Sequence, residues 1–507
     1  MVRVRANHFA LVDRKKVSKV NPTSSTGGSR PVQGISRSRL FLAGLGCLLL
    51  VGVGLGIGLG WLPRRTPPPI PAPAQLGSLD PQVRAHLIGL AKQAAESPFE
   101  GRRRSELGLA LAVNGLWGEA RGSFLDAIQL GDAGPLTAMY AAVALQEMGD
   151  ASGAVKELEQ LVTRFPNAAP AWYRLGVARV AAGEMIPAEA AFGKVSELKP
   201  AEWRGWAGVG EARLRQGQHA EAVEPLERAV TLDPYARSAY HLLGQAYRAL
   251  GRSTEATTAL AAGSSQTVGP IPDDWSVNAL NHMRLLPDQF ERCDALLAQG
   301  QFGEAIARLR EALRYHPTNV SVIVRLAGAL SAADQTAEAE SVLVEARRTM
   351  TDDVGLLTAS AEMAASLGQG SEALAWVRRA VALAPQLPEV HVAEANAWLA
   401  LENDGSAVEA LERALERAPA NVGLLLQLGD LEWHNLNRRD AAWNRYTQAH
   451  AADPIHPATL ERLTKLAIER GDFDAAEMHL TELKRLRVDP AMLGELETAL
   501  RQAKGSR

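Results

Sequence analysis

The 507-residue chain has a formal net charge of −3 and only two cysteines, Cys47 and Cys293. That balance excludes a disulfide-stapled scaffold, and with no aromatic-studded basic patch beyond the N-terminal region it also excludes a nucleic-acid-binding surface. The small net charge conceals a polarity, because residues 1–39 carry nine Lys or Arg against one acid, whereas residues after 65 carry 43 basic and 56 acidic side chains.

Residues 1–39 are poor in apolar side chains and contain the run TSSTGGSR, which reads as a basic, disordered tail. From Leu40 to Leu62 no charge occurs, and Arg37, Arg39, Arg64 and Arg65 flank the stretch. At about 1.5 Å per residue, such a helix spans the roughly 30 Å hydrocarbon core of a bilayer, so residues 40–62 read as one transmembrane helix. The second half, GVGLGIGLGW, imitates a phosphate-cradling loop. Every glycine from Gly44 to Gly60 sits at an even position, however, and a dinucleotide fingerprint needs glycines five apart. A cleavage site at Ala72-Pro73-Ala74 is a weaker reading, because the apolar stretch exceeds a secretory h-region and a long polar segment precedes it. The segment therefore reads as an uncleaved signal anchor. Its basic flank favours a cytoplasmic N-terminus, which places the acidic bulk across the membrane, most readily a bacterial inner membrane. Gly52, Gly56 and Gly60 form a small-residue ridge that offers a face for homodimerisation in lipid. Residues 63–79, beginning PRRTPPPIPAPA, read as an extended Pro-rich linker.

The remaining chain repeats with a period of 34 residues. After a capping helix near 80–97, five blocks begin at 101, 135, 169, 203 and 237, which together define a segment 80–270. The third block carries Trp172, Leu175, Gly176, Gly183, Ala188, Phe192 and Pro200, and the fourth carries Trp206, Val209, Gly210, Gly217, Ala222, Leu226, Ala229 and Pro234. Small residues at the eighth, twentieth and twenty-seventh positions let helix backbones approach, and bulky ones at the fourth and twenty-fourth fill the space between. Glycine at the fifteenth ends the first helix and proline at the thirty-second ends the second. The register breaks over 271–285, IPDDWSVNALNHMRL, which reads equally as a joint between two segments or as a loop decorating one continuous superhelix, and Asp273 and Asp274 suggest the cap of a short helix. It resumes in six blocks at 286, 320, 354, 388, 422 and 457, spanning 286–490. The block at 422 carries one extra residue near Leu436–Asp440. A polar capping helix and tail close the chain over 491–507.

This pattern resembles the tetratricopeptide repeat, whose 34-residue period and small–large alternation it shares. The resemblance implies an all-α superhelical solenoid of about eleven helix-turn-helix repeats behind the membrane helix. Repeats of this kind bind partners along the second, fifth, ninth and twelfth positions of each first helix. By that rule the groove is lined by Tyr173, Val177, Arg204, Glu211, His241, Gln245 and Arg248 in the first segment. In the second it is lined by Phe290, Asp294, Glu362, Asn396, Asp430 and Trp433. The chaperone-binding members hold a carboxylate with Lys at the fifth position, and no fifth position here is Lys, which argues against such a clamp.

No catalytic constellation stands out. His-Glu-x-x-His and Gly-x-Ser-x-Gly are missing, no histidines pair at i, i+4, and His450 and His456 straddle Pro454 without a ligand spacing. The expectation is a non-enzyme without cofactor or metal, whose partners are proteins or peptides and, through residues 40–62, the lipid bilayer. The resemblance implies a membrane-anchored adaptor in envelope assembly, secretion or protein maturation. Two alternatives are a self-associating structural scaffold and a cytosol-facing organelle import-type receptor.

Overall fold

The structure is a computed structural model that describes residues 69–70, 76–264 and 268–505. The basic tail, the segment 40–62 with Gly52, Gly56 and Gly60, and most of the Pro-rich linker lie outside the described residues. Among the described residues, no helix is long and apolar enough to cross a membrane.

The described chain is all-α and built from antiparallel helix pairs. A leading helix, Pro81–Glu96, is capped by the Asp80 carboxylate, which accepts from Gln82 N at 2.8 Å. First helices of the pairs then begin at Gly101, Pro135, Ala169, Trp203 and Arg237, and again at Leu286, Val320, Val354, Pro388, Val422 and Pro457. A closing helix, Pro490–Gly505, covers the last pair. Between paired helices the chain takes a left-handed residue, which glycine adopts without steric cost. Gly183 does so at φ 82°, and three pairs use Asp334, Glu402 and Asn437 instead, at φ 58°, 56° and 51°.

The extra residue of the block at 422 is absorbed by a π-helical turn at Leu431–Asn435, which continues helix Val422–Asp430. Such a turn holds one more residue than an α turn, so the second helix of the pair, Arg439–Ala452, re-enters the common register.

The core is a chain of small-on-large contacts. In the first pairs Leu107, Ala110, Phe124, Met139, Tyr140, Leu158 and Leu175 form one buried cluster. In the second set Leu309, Leu326, Leu330, Leu343 and Leu356 form another.

Residues 268–285 reverse the direction of travel. Val268 lies at Tyr173 of the third pair, Asp273 and Trp275 at Tyr140 of the second, and His282 at Asn114 of the first and His86 of the leading helix. The second set of pairs therefore starts beside the beginning of the first. Helix Phe302–Tyr315 touches helix Pro81–Glu96, and His316 Nε2 stands 3.2 Å from Asp80 Oδ2. Its end returns to the fifth pair, where Arg237 meets Asp453 at 2.6 Å and Tyr240 and Ala262 share a core with Ile455, Leu460 and Leu486. The two arcs meet at both ends and close into a ring, and the second does not continue the superhelix of the first.

Candidate protein-binding groove

Helix Asp274–Ala279 exists because Asp273 caps it. The Asp273 carboxylate accepts from Trp275 N and Ser276 N at 2.9 and 2.7 Å, and the Ser276 hydroxyl donates back to Asp273 O. That cap fixes Trp275 against the first arc, stacked on Tyr140 with ring centroids 5.3 Å apart and tilted on Phe124 at 5.6 Å. The Tyr140 hydroxyl donates to the Asp273 carboxylate at 3.3 Å. Burial pushes both groups above their usual ranges, so the phenol stays protonated as the donor.

Tyr173 is buried, its hydroxyl donating to Val268 O at 3.1 Å, and Val177 and Val268 pack against the buried cluster that holds Tyr173, Phe192 and Ile271. Further along, Asn114 donates to His282 O at 2.8 Å and accepts from Arg284 N at 3.2 Å. The first arc is thus filled by the protein's own segment over its first three pairs. A cleft of about 750 Å³ remains beside it, lined by Arg103, Glu106, Asp132, Trp275, Asn278 and His282.

The other sequence-derived positions of this arc divide. Arg204 pairs with Glu202 at 2.9 Å and lies over the Trp203 ring, and Glu211 pairs with Arg215 at 2.9 Å. His241 is bonded to Gln245 through Nε2 at 2.8 Å, and Gln245 and Arg248 line a small open cleft with Leu214 and His219.

At three of the five junctions of the second arc the ninth-position side chain of one pair meets the sixth-position side chain of the next. Arg325 donates to Asp294 at 2.6 Å, Gln427 to Asn396 at 3.3 Å, and Arg462 grips both oxygens of Asp430 at 2.6 and 2.7 Å. Phe290 lies under the Arg325 guanidinium, 4.6 Å from its carbon. Trp433 is buried in the π turn and donates to Glu469 at 3.2 Å. Tyr446 also donates to Asp430, at 2.7 Å, and burial raises its phenol pKa.

Glu362 breaks this ladder. It occupies the same ninth position, but the sixth position of the next pair is Ala393, which offers no donor. Glu362 is exposed, yet the surrounding protein removes enough water to raise its carboxyl above the usual range. Among the ninth positions of this arc, Asp294, Gly328, Glu362, Asn396 and Asp430, it is the one acid without a cation from the next pair.

The docked segment is the part that repeat spacing missed. Asp273 signalled a cap, but nothing periodic links Trp275 to Tyr140 or His282 to His86. Cys293 is buried as a free thiol, and burial pushes its pKa up to about 11, which leaves it unreactive.

Family models described as tetratricopeptide repeat match residues 141–185, 187–237, 238–262 and 296–361. No curated protein matches the chain. Similar solved structures include the APC/C hetero-tetramer Cut9-Hcn1, at 15% identity over 77% of this chain and 82% of that one, with a TM-score of 0.36. Naa15/Naa10 bound to HypK-THB aligns at 12% identity over 84% and 95%, with a TM-score of 0.36. Pseudomonas aeruginosa pilF aligns at 19% identity over 41% and 95%, with a TM-score of 0.32.

Proposed function

We infer that this chain, a tetratricopeptide repeat protein by its matches between residues 141 and 361, is a non-enzymatic protein-interaction scaffold that binds through its second arc. The observation that carries this reading is Glu362, an exposed carboxylate with no paired cation among the described residues, in a row whose other charged members are internally paired. Such a group loses little on meeting a Lys or Arg of a partner, because water is already partly excluded around it. Three pairs of the first arc, by contrast, are already engaged by residues 268–285 of the same chain.

Partners captured by the full chain and identified by mass spectrometry provide the test. Glu362→Gln weakens the affinity of a groove partner about tenfold, which corresponds to about 1.4 kcal/mol. Equal affinities for the unaltered and Glu362→Gln chains would remove the second arc from the reading.

The uncharged stretch 40–62, bracketed by arginines, supports an anchor with a cytoplasmic N-terminus and the ring outside the bacterial inner membrane. Together with the resemblance to tetratricopeptide repeat proteins, that topology supports a place in envelope assembly, secretion or protein maturation, and the small-residue spacing of Gly52, Gly56 and Gly60 supports homodimerisation in lipid. Protease added to intact spheroplasts degrades residues 80–507 on this reading, and full protection of them rejects it.

A further inference from the structure

One cluster in the second arc is unused by protein binding. His450, on helix Arg439–Ala452, converges with His479 and Glu482, on helix Phe473–Arg485. These are the second helices of successive pairs, and the three-residue spacing of His479 and Glu482 sets both on one helical face. One donor atom from each of the three side chains lies within 4.8 Å of the others.

The separations are informative. His450 Nε2 stands 3.8 Å from Glu482 Oε2, and His479 Nδ1 stands 3.6 Å from the same oxygen. A charged imidazole paired with a carboxylate closes to about 2.7–2.9 Å, which neither contact does. Tetrahedral zinc with ligands at about 2.0–2.1 Å instead holds its donors about 3.4 Å apart. His479 Nδ1 and Glu482 Oε2 are moreover buried without a hydrogen-bond partner, which is costly for polar atoms with nothing between them.

His456 takes no part, because its Nδ1 accepts from Thr459 N at 3.3 Å as the cap of helix Pro457–Arg470.

We propose that His450, His479 and Glu482 bind one divalent transition-metal ion of the zinc class. The ion clamps the last two second helices together and leaves its fourth position to water. Two nitrogens and one oxygen suit zinc over calcium or magnesium, which prefer all-oxygen shells.

Chelator-stripped full chain titrated with Zn²⁺ against a chromogenic chelator tests this. One ion binds per chain, at least tenfold more weakly in His450→Ala and in Glu482→Gln, and Zn²⁺ raises the thermal midpoint of the unaltered chain alone by a few degrees. Uptake undiminished in both variants, or no uptake by the unaltered chain, overturns the proposal. Co²⁺ added to the unaltered chain keeps the test open if a variant fails to fold. An intense visible band of tetrahedral cobalt supports the site, and the lack of that band overturns it.

Discussion

Phe192 is held between two glycines. A Cβ at Gly176 or at Gly208 would stand 2.5 Å from its ring, so the aromatic ring rests directly on the backbones of two successive first helices. The same contact recurs sixteen residues downstream of the eighth position, at Gly108 with Phe124, Gly210 with Leu226 and Gly244 with Leu260. At Gly429 the partner is Tyr446, seventeen residues on, because the π turn has added one. Gly176→Ala therefore forces a buried ring out of place and destabilises by about 1–3 kcal/mol in chemical denaturation. Gly193→Ala on helix Met185–Leu198, where nothing lies within 4 Å, is the control. It leaves stability unchanged or raises it by up to about 1 kcal/mol through helix propensity. Similar losses at both sites would mean that packing on Phe192 is not what requires glycine at 176.

At the scale of elements, the helix pairs were readable because each position's side chain is dictated by neighbours 16 or 34 residues away. Gly176 with Phe192 and Gly183 with its left-handed φ are local demands; the first recurs as glycine in five blocks and the second as glycine in eight, with a small residue or another left-handed residue in the rest. The same was true of the extra residue near Leu436, whose place in the register anticipated a local irregularity but not its π form. The candidate groove was only half readable. Position numbers placed Asp294, Asn396 and Asp430 on one face, but not their pairing with Arg325, Gln427 and Arg462, which depends on how one pair rotates onto the next. Residues 271–285 were the least readable, since their partners are 133–196 residues away and nothing in the segment repeats.

The docked segment carries a pH dependence of its own. His86 Nε2 and His282 Nδ1 lie 3.1 Å apart and share one hydrogen bond, which needs at least one neutral ring. Burial, then Arg284 and His282, lowers the His86 pKa to about 4, and burial and Arg284 lower His282 against the pull of Glu106. Both folded values lie below the unfolded 6.5, so the unfolded state binds more protons as the solution is acidified. The contact is fully stable above pH 6.5 and is lost as pH falls toward 4. Hydrogen exchange corrected for intrinsic rates should show protection of residues 271–285 falling across that window, ahead of the helix pairs. His86→Gln flattens the dependence. Protection that is constant from pH 7 to 4.5 contradicts this account.

At the scale of the molecule, the ring is closed by contacts of unequal weight. The Arg237–Asp453 pair is short, but the Arg237 side chain is 41% exposed, and pairs of that kind contribute about 0–1 kcal/mol. Arg487, reaching the carbonyls of Thr231 and Leu232 at 3.3 and 3.4 Å, is exposed too. The apolar seam beneath them is different, because Ile455 is 1% exposed and packs with Tyr240 and Ala262 of the fifth pair. Ile455 also lies between helices, so a change there need not unwind either one. Ile455→Asp places an unpartnered carboxylate in that seam, a loss large enough to part the arcs while each keeps its internal pairs. Small-angle scattering should show a radius of gyration several ångströms larger for Ile455→Asp, with unchanged helical circular dichroism. Arg237→Ala should scatter like the unaltered chain. If Ile455→Asp keeps the original profile, the apolar seam at the fifth pair is not what holds the ring.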